Sequence, residues 1–399
     1  MKAVKVLSAF TGAGGLDLGL EAAGFSVISG IESDKVARET VKLNRSAFRF
    51  LEPHDINALA KRVNPAVLGL RPGDLGILAG GPPCQPFSKA AQWADSGMRG
   101  FGDPRSDCLK SFLHLVGSFL PEVVFIENVP GFVRGQNSAV SLIKARLEEI
   151  NAAASTSYSL DARELDAADY GVPQRRKRAI LVALRSGQQF IWPKATHVDG
   201  PVRAYDALVD VRPSKVPAPK GKWANLLASI PEGENYIWHT SRGGGRPLFG
   251  YRTRYWSFLL KLAKAEPSWT LSASPGPSTG PFHWDNRPLA VEELLRLQSF
   301  PLAWQVSGKY RDQVRQIGNA TPPLLAEVMG RAIGKQVFGL SYESPLTLLI
   351  ARQPRVPPAK RARPIPSKYM PMEGAHSPHP GEGKGPSPRK KMRTERSSS

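Results

Sequence analysis

Short apolar runs, each followed by a segment long enough for a helix, recur through the first half of this chain and leave few folds open to it. Residues 4–10, 26–32, 75–79, 123–126 and 179–184 are such runs. Residues 16–23, 34–43 and 107–119 between them repeat their apolar positions at helical spacing. A strand that is apolar on both sides must be covered on both faces, which is the condition of a parallel sheet between two helix layers. The expected fold class is therefore α/β, with a mostly parallel sheet. The 399 residues and 41% hydrophobic content allow a large core and two or three domains.

The texture changes after about Ser186. Six of the eight tryptophans, Trp192, Trp223, Trp238, Trp256, Trp269 and Trp284, fall within residues 187–286 among many Gly, Pro and Arg. Periodicity is weak there, so a second, irregular domain is expected. Helical patterns return at 290–298 and at 322–338, the latter opened by Pro322-Pro323, which suits a helix start. The expected division is 1–186, 187–311 including a hinge, 312–341 returning to complete the first domain, and a basic Pro/Ser-rich tail at 342–399. That tail reads as disordered.

The formal net charge of +20 points to a polyanionic partner, and from Ala351 onward twelve Lys or Arg face three Glu. No run approaches the roughly 18 apolar residues of a membrane span, and no signal-peptide pattern opens the chain. Cys84 and Cys108 are too few for a disulfide framework, and no Cys/His spacing suggests a metal. A reducing cytoplasm follows as the expected location.

Residues 10–15, Phe10-Thr11-Gly12-Ala13-Gly14-Gly15, join the first strand to the first helix. Glycines there let a ligand approach the backbone beside free helical N–H groups. Glu32 ends the second strand, where a carboxylate accepts the ribose hydroxyls of a nucleotide. Asp55 follows the next element and is a candidate for an adenine amino group. A glycine turn with a later acid also describes a dinucleotide-binding dehydrogenase, although the spacing departs from GxGxxG.

The run at 75–79 ends in Gly80-Gly81-Pro82-Pro83-Cys84-Gln85-Pro86-Phe87-Ser88. A cysteine on a proline-braced loop at a strand's carboxyl end has no packing duty, unlike Cys108 within a helical pattern, which reads as a small buried hydrophobe. Glu127 closes another core strand in Glu127-Asn128-Val129, and strand-end acids are often catalytic. In Gln174-Arg175-Arg176-Lys177-Arg178, Arg175 and Lys177 read as solvated, while Arg178 abuts a strand and is expected at the same sheet edge.

The ordered set formed by residues 10–15, 80–88, 127–129, 174–178 and 316–323 resembles the signature series of the DNA cytosine-5 methyltransferases, over about residues 2–339 apart from the variable middle. The resemblance implies a Rossmann-like, S-adenosylmethionine-dependent domain with a smaller target-recognition domain. It implies Cys84 as the nucleophile toward cytosine carbon-6, Glu127 on the ring nitrogen and amino group, and Arg178 on the ring carbonyl. Phe10, Gly12, Ala13, Gly15, Glu32, Asp55, Ile56, Gly81, Asn319 and Ala320 would line the cofactor. Arg242, Arg246, Arg252 and Arg254 are the candidate DNA contacts. Cys108 stands where the family usually has Leu. Double-stranded DNA is the implied partner of a monomer without membrane association, in the cytoplasm on the nucleoid. A restriction endonuclease acting on the same site is the further partner such a modification enzyme would have. A tRNA methyltransferase of the same fold, a nicotinamide dehydrogenase and a catalytically inactive DNA-binding relative are the alternatives. The chain lacks a cysteine after Cys108, which the tRNA branch carries in its target region.

Overall fold

The computed structural model describes residues 3–83, 107–135, 138–251 and 253–374. In chain order the first part contains β1 (Lys5–Ala9), α1 (Gly15–Ala22), β2 (Ser26–Ile31), α2 (Lys35–Asn44), α3 (Ile56–Ala60), β3 (Ile77–Gly80), α4 (Asp107–Phe119), β4 (Val123–Asn128), α5 (Ala139–Ala154), β5 (Ser159–Asp166), β6 (Gln174–Arg175) and β7 (Lys177–Leu184). Every apolar run noted in the sequence is a strand. β5 was not legible because it lies at the sheet edge and is only partly buried, so it carries no apolar run.

The six-stranded sheet has the order β2-β1-β3-β4-β7-β5. β1 is parallel to β2 and β3, and β3 is parallel to β4. β7 runs antiparallel to both β4 and β5. One reversed strand in six keeps the expected parallel character and has a local consequence: the start of β7 lies at the carboxyl ends of the other strands. In register, Glu127 faces Ile180 and Asn128 faces Ala179.

Successive strand residues point to opposite faces, and the core is split accordingly. Leu7, Leu78, Val124, Ile126, Leu181 and Ala183 pack with α3, α4 and α5 on one face. Val6, Ile77, Ala79, Phe125, Ile180 and Val182 pack on the other face with α1 and with α9 (Pro323–Val337), which returns from the far end of the chain. Gly19 permits that return: a Cβ there would lie 2.2 Å from the Pro323 carbonyl oxygen and 2.4 Å from Ala326 Cβ.

Residues 187–286 contain little regular structure: α6 (Ala204–Leu208), two short 3-10 turns and β8 (Ser268–Trp269), which pairs with β6. Aromatic packing supplies the order instead. Tyr236, Phe249, Phe258 and Phe282 are buried together with Leu226, Leu227 and Leu248. A third cluster joins α6, α7 (Val291–Leu297) and α8 (Tyr310–Asn319). Among the described residues no helix is long and apolar enough to cross a membrane.

The tail departs from its expected disorder between residues 342 and 374. Tyr342 donates its hydroxyl to the Ala23 carbonyl at 2.8 Å, and Glu327 accepts the N–H groups of Thr347 and Leu348. Ile350 is buried, and Tyr369 stacks on Trp223 at 5.8 Å and donates to the Lys222 carbonyl. These anchors are single residues spaced by prolines and polar stretches, so they leave no periodic signal. Residues 375–399 lie outside the described residues.

Gly19→Ala is expected to destabilise the protein by about 1–3 kcal/mol despite alanine's better helix propensity, because the added methyl overlaps the α9 backbone. Urea unfolding checks this; an unshifted midpoint would contradict the close α1–α9 approach.

Candidate active site

The direction of chain progression through the sheet reverses at β1, which has β2 on one side and β3 on the other. Open α/β sheets bind ligands in the crevice at the strand carboxyl ends beside such a reversal. The loop after β1 enters it with unusual backbone: φ is +57° at Phe10, +56° at Gly12 and +81° at Gly14. Its shape is held by Glu32, which closes β2. One carboxylate oxygen accepts the Gly12 N–H at 2.8 Å and the other accepts the Asp34 N–H at 2.7 Å. Burial raises the Glu32 pKa, which these two N–H donors counter.

The loop glycines divide by role. Gly12 leaves open space around a would-be Cβ, with only the Phe10 carbonyl within 4 Å. At Gly15 a Cβ would lie 2.3 Å from the Thr321 carbonyl oxygen, so this glycine makes room for protein and is not required for ligand approach. The Ala13 side chain likewise packs with Phe300, Trp304 and Ile317, leaving only its backbone for a ligand. Asp55 caps α3, its Oδ1 accepting from Asn57 and Ala58 at 2.8 and 3.0 Å. Ile56 beside it is buried. A helix cap is a sufficient structural reason for Asp55.

A buried acid behind this loop was not singled out from the sequence. Asp17, in the first turn of α1, is fully buried and accepts from the Ser8 hydroxyl at 2.5 Å, while Thr11 reaches Ser8 at 3.5 Å. Arg45 lies 4.0 Å from Asp17, pairs with Glu21 at 2.5 Å and covers the Trp304 ring at 5.3 Å. Burial pushes the Asp17 carboxyl up to about 6, against the Ser8 hydrogen bond and Arg45. It pushes Glu21 up to about 7. The sequence signal was an aspartate inside an otherwise apolar helical face.

The second half of the site forms where β4 ends and β7 begins. The Arg178 Nε lies 2.7 Å from a Glu127 carboxylate oxygen, with both side chains largely buried. Gly81 is beside them, its would-be Cβ 3.5 Å from Glu127 oxygens. Asn128 donates to the Pro82 carbonyl at 2.8 Å and pins the start of the loop that leads to Cys84. Cys84 itself lies outside the described residues. Cys108, within α4, is half-buried and receives an Asn57 amide contact at 3.8 Å.

Gln174 and Arg176 were the residues most underestimated in a run that looked like a solvated turn. Arg175 and Lys177 are exposed, as expected, but Arg176 is fully buried. It donates to the Gly318 and Ala320 carbonyls at 2.7 and 3.1 Å, at the C-terminus of α8, where a cation is favoured. Gln174 bonds Gln298 at 3.0 Å and accepts the Leu271 N–H at 3.0 Å. Gln298 in turn donates to the Ile317 carbonyl. Asn319 is exposed on the turn that Arg176 grips, and Ala320 is buried. The strand bearing Arg178 and the turn bearing Asn319 are thus fixed to each other through one buried guanidinium.

Of the arginines expected on the DNA side, Arg242 lies over the Tyr251 ring at 3.9 Å, and Arg254 lies 5.7 Å from both Phe249 and Phe258. Arg246 pairs with Glu373 at 3.3 Å, and the three glycines before it wrap Trp238. All three guanidinium groups belong to exposed residues; Arg252 lies outside the described residues.

The family profile for C-5 cytosine-specific DNA methylases matches residues 4–335. The chain belongs to that family. The type II methyltransferase M.SacI of Streptomyces achromogenes is 34% identical over 371 residues, covering 83% of this chain and 93% of that protein. M.Sau96I of Staphylococcus aureus is 31% identical over 356 residues, covering 83% and 76%. Among solved structures, Entamoeba histolytica methyltransferase EhMeth superposes with a TM-score of 0.56 at 17% identity, over 84% of this chain and 99% of that one. A Spodoptera frugiperda DNMT2 variant gives 0.58 at 15% identity, over 83% and 99%. These two likenesses concern the fold. The methylase is thus an enzyme of the cytosine C-5 DNA-methylating class.

The Asp17 cluster makes the methylase's stability depend on pH. A carboxyl whose folded pKa is raised favours the fold fully below its ordinary value of 3.8, and this contribution is lost as pH rises through about 6. Asp17→Asn removes that loss. Relative to the parent, the variant should gain stability between about pH 4 and 6 and level off above, as followed by urea midpoints across this window. A pH-independent difference would show that Asp17 does not titrate there.

Proposed function

We propose that the methylase transfers a methyl group from S-adenosylmethionine to carbon-5 of a cytosine extruded from a short duplex sequence, through a covalent adduct with Cys84. The observation that carries this reading is the Glu127–Arg178 pair at the carboxyl edge of the sheet, beside the Gly81 that leads to Cys84. In this role the enzyme is the modification partner of a restriction endonuclease acting on the same site. It works as a cytoplasmic monomer on duplex DNA, without membrane association.

The residues at the crevice suit the cofactor. Glu32 is oriented by two backbone N–H groups and keeps further lone pairs for ribose hydroxyls. Phe10 presents a half-buried ring, the free Oδ2 of Asp55 is available to an amino group, and Ile56 offers an apolar wall. The backbone of Gly12, Ala13, Gly15 and Gly81, with Asn319 and Ala320 across from it, would hold the amino-acid end. Bound there, S-adenosylmethionine supplies an electrophilic methyl group.

Cytosine carbon-5 is a weak nucleophile until carbon-6 is attacked. The Cys84 thiolate forms the sulfur–carbon-6 bond, and the electron pair of the 5,6 double bond moves onto carbon-5 and the ring. Glu127 binds the ring nitrogen and amino group, and Arg178 donates to the ring carbonyl while fixing Glu127. Carbon-5 would attack the methyl group, whose bond to the donor's sulfonium sulfur breaks with its electron pair staying on sulfur, so that the donor leaves as a neutral thioether. A base then removes the carbon-5 proton, the carbon–sulfur bond breaks, and the thiolate returns. Arg242, Arg246, Arg252 and Arg254 would hold the DNA backbone or base edges.

Expression in a methylation-free host followed by bisulfite sequencing tests the activity and reveals the sequence methylated. Cys84→Ala should abolish it, and Glu127→Gln should lower turnover by about 100-fold or more. Duplex DNA carrying 5-fluorocytosine at the target, which has no carbon-5 proton to lose, should trap the parent enzyme as a denaturation-stable adduct. Turnover by Cys84→Ala would overturn the nucleophile.

A further inference from the structure

Most aromatic side chains of the irregular region are buried or half-buried, yet three adjoining ones are exposed. Tyr255 is 51%, Trp256 55% and Trp269 40% accessible. The two indoles meet edge to face, with ring centroids 5.6 Å apart at 75°. Neither stands on a loose loop. Asn235 donates to the Trp256 carbonyl at 2.8 Å, and the Tyr236 hydroxyl donates to the Arg254 carbonyl at 2.9 Å. Trp269 belongs to β8, and the Tyr255 ring is anchored on Phe258 at 5.6 Å.

Their place in the fold is specific. Trp269 pairs across the strands with Arg175. Thr270 donates to the Arg175 carbonyl at 2.7 Å, and Leu271 donates to Gln174. A little further on, Ala273 lies against Gly318, whose would-be Cβ is 2.5 Å from it. The segment therefore borders both the β7 entry, with Arg178, and the Asn319 turn. Paired strands are about 5 Å apart and three residues span at most roughly 10 Å, so Trp269 and Arg178 are within about 15 Å at the backbone.

The surroundings identify the occupant. Lys177 and Arg254 are exposed nearby, as is Arg175, whose guanidinium pairs with Glu266 at 2.8 Å, on a chain of formal charge +20. A partner that matches both cations and bare π faces is a nucleic acid whose base stack has been opened. An intact duplex hides its base faces. Extrusion of one cytosine uncovers the faces of its neighbours and leaves an orphan guanine, and unstacking costs free energy that some surface must offset.

We propose that Trp256 and Trp269 form an aromatic platform that stacks on the bases uncovered when the target cytosine leaves the duplex. The pair stabilises the extruded state and does not read sequence. This rests on the DNA-methylating reading above and assigns it two residues beyond the arginines.

The test uses the full chain and a duplex bearing the sequence found by bisulfite mapping, with 2-aminopurine at the target position to report extrusion. Trp256→Ala and Trp269→Ala together should lower the extrusion signal and turnover by roughly 5- to 100-fold, the range expected for base–aromatic stacking. Phenylalanine at both positions should restore most of it. The slope of affinity against salt should stay as in the parent, since no cation is removed, whereas Arg254→Ala should reduce it. Thermal unfolding should be unchanged, because both indoles are exposed. On a duplex whose target cytosine faces an abasic gap, extrusion is cheaper and the defect should shrink. Undiminished extrusion in the double alanine variant, or an equal defect on both duplexes, would overturn the platform and leave the methylation reading standing. Absence of DNA methylation by the parent enzyme would overturn both.

Discussion

The pairing of Glu127 with Arg178 depends on a reversal of strand direction. In a wholly parallel sheet the start of β7 would lie at the opposite edge from the end of β4, about one strand length away. Because β7 runs against β4, the residue that opens one strand meets the residue that closes the other. The ion pair follows at 2.7 Å, mostly out of solvent, where a charged group without its partner would be costly. Gly81 just after β3 lies beside Glu127, and the end of α8 is tied to the start of β7, so Gly81, Glu127, Arg178 and Asn319 are brought to one edge by sheet topology while coming from distant parts of the chain.

A second tie makes the arrangement rigid. Arg176 reaches from the short stretch between β6 and β7 to the carbonyls of Gly318 and Ala320. A buried guanidinium with several fixed acceptors admits little rearrangement, so the start of β7 and the end of α8 keep one spacing. Gln174 and Gln298 extend the same network to Leu271, and through it to the segment that carries Trp269.

Much of this was legible in the sequence, for identifiable reasons. The buried strands stood out because a strand covered on both faces must be continuously apolar, and the helix starts stood out through Asp34 and Pro323. The positions of Glu32, Glu127 and Arg178 at strand ends followed from the same runs. Other features were hidden. Arg176 lies in a polar run whose alternate members are solvated, so composition masks its burial. Asp17 interrupts an apolar helical face, but nothing in the sequence shows that Ser8 and Arg45 close around it. The order in residues 342–374 comes from isolated anchors such as Tyr342 and Tyr369, and single anchors have no period to detect. The direction of β7 was also not encoded in its composition, since an apolar run reads the same either way.

The path of residues 342–374 has a mechanical consequence. The strap leaves α9, bonds to Ala23 and Glu327 on the sheet body, passes Asp206, which accepts the Gln353 N–H at 2.8 Å, and ends with Tyr369 stacked on Trp223 in the aromatic region. Two other connections already join these parts of the molecule. A third, attached at both ends and lying alongside them, acts as a parallel spring. Any rotation of the aromatic region against the sheet would therefore have to break the Tyr369–Trp223 stack or the hydrogen bonds that Thr347 and Leu348 give to Glu327.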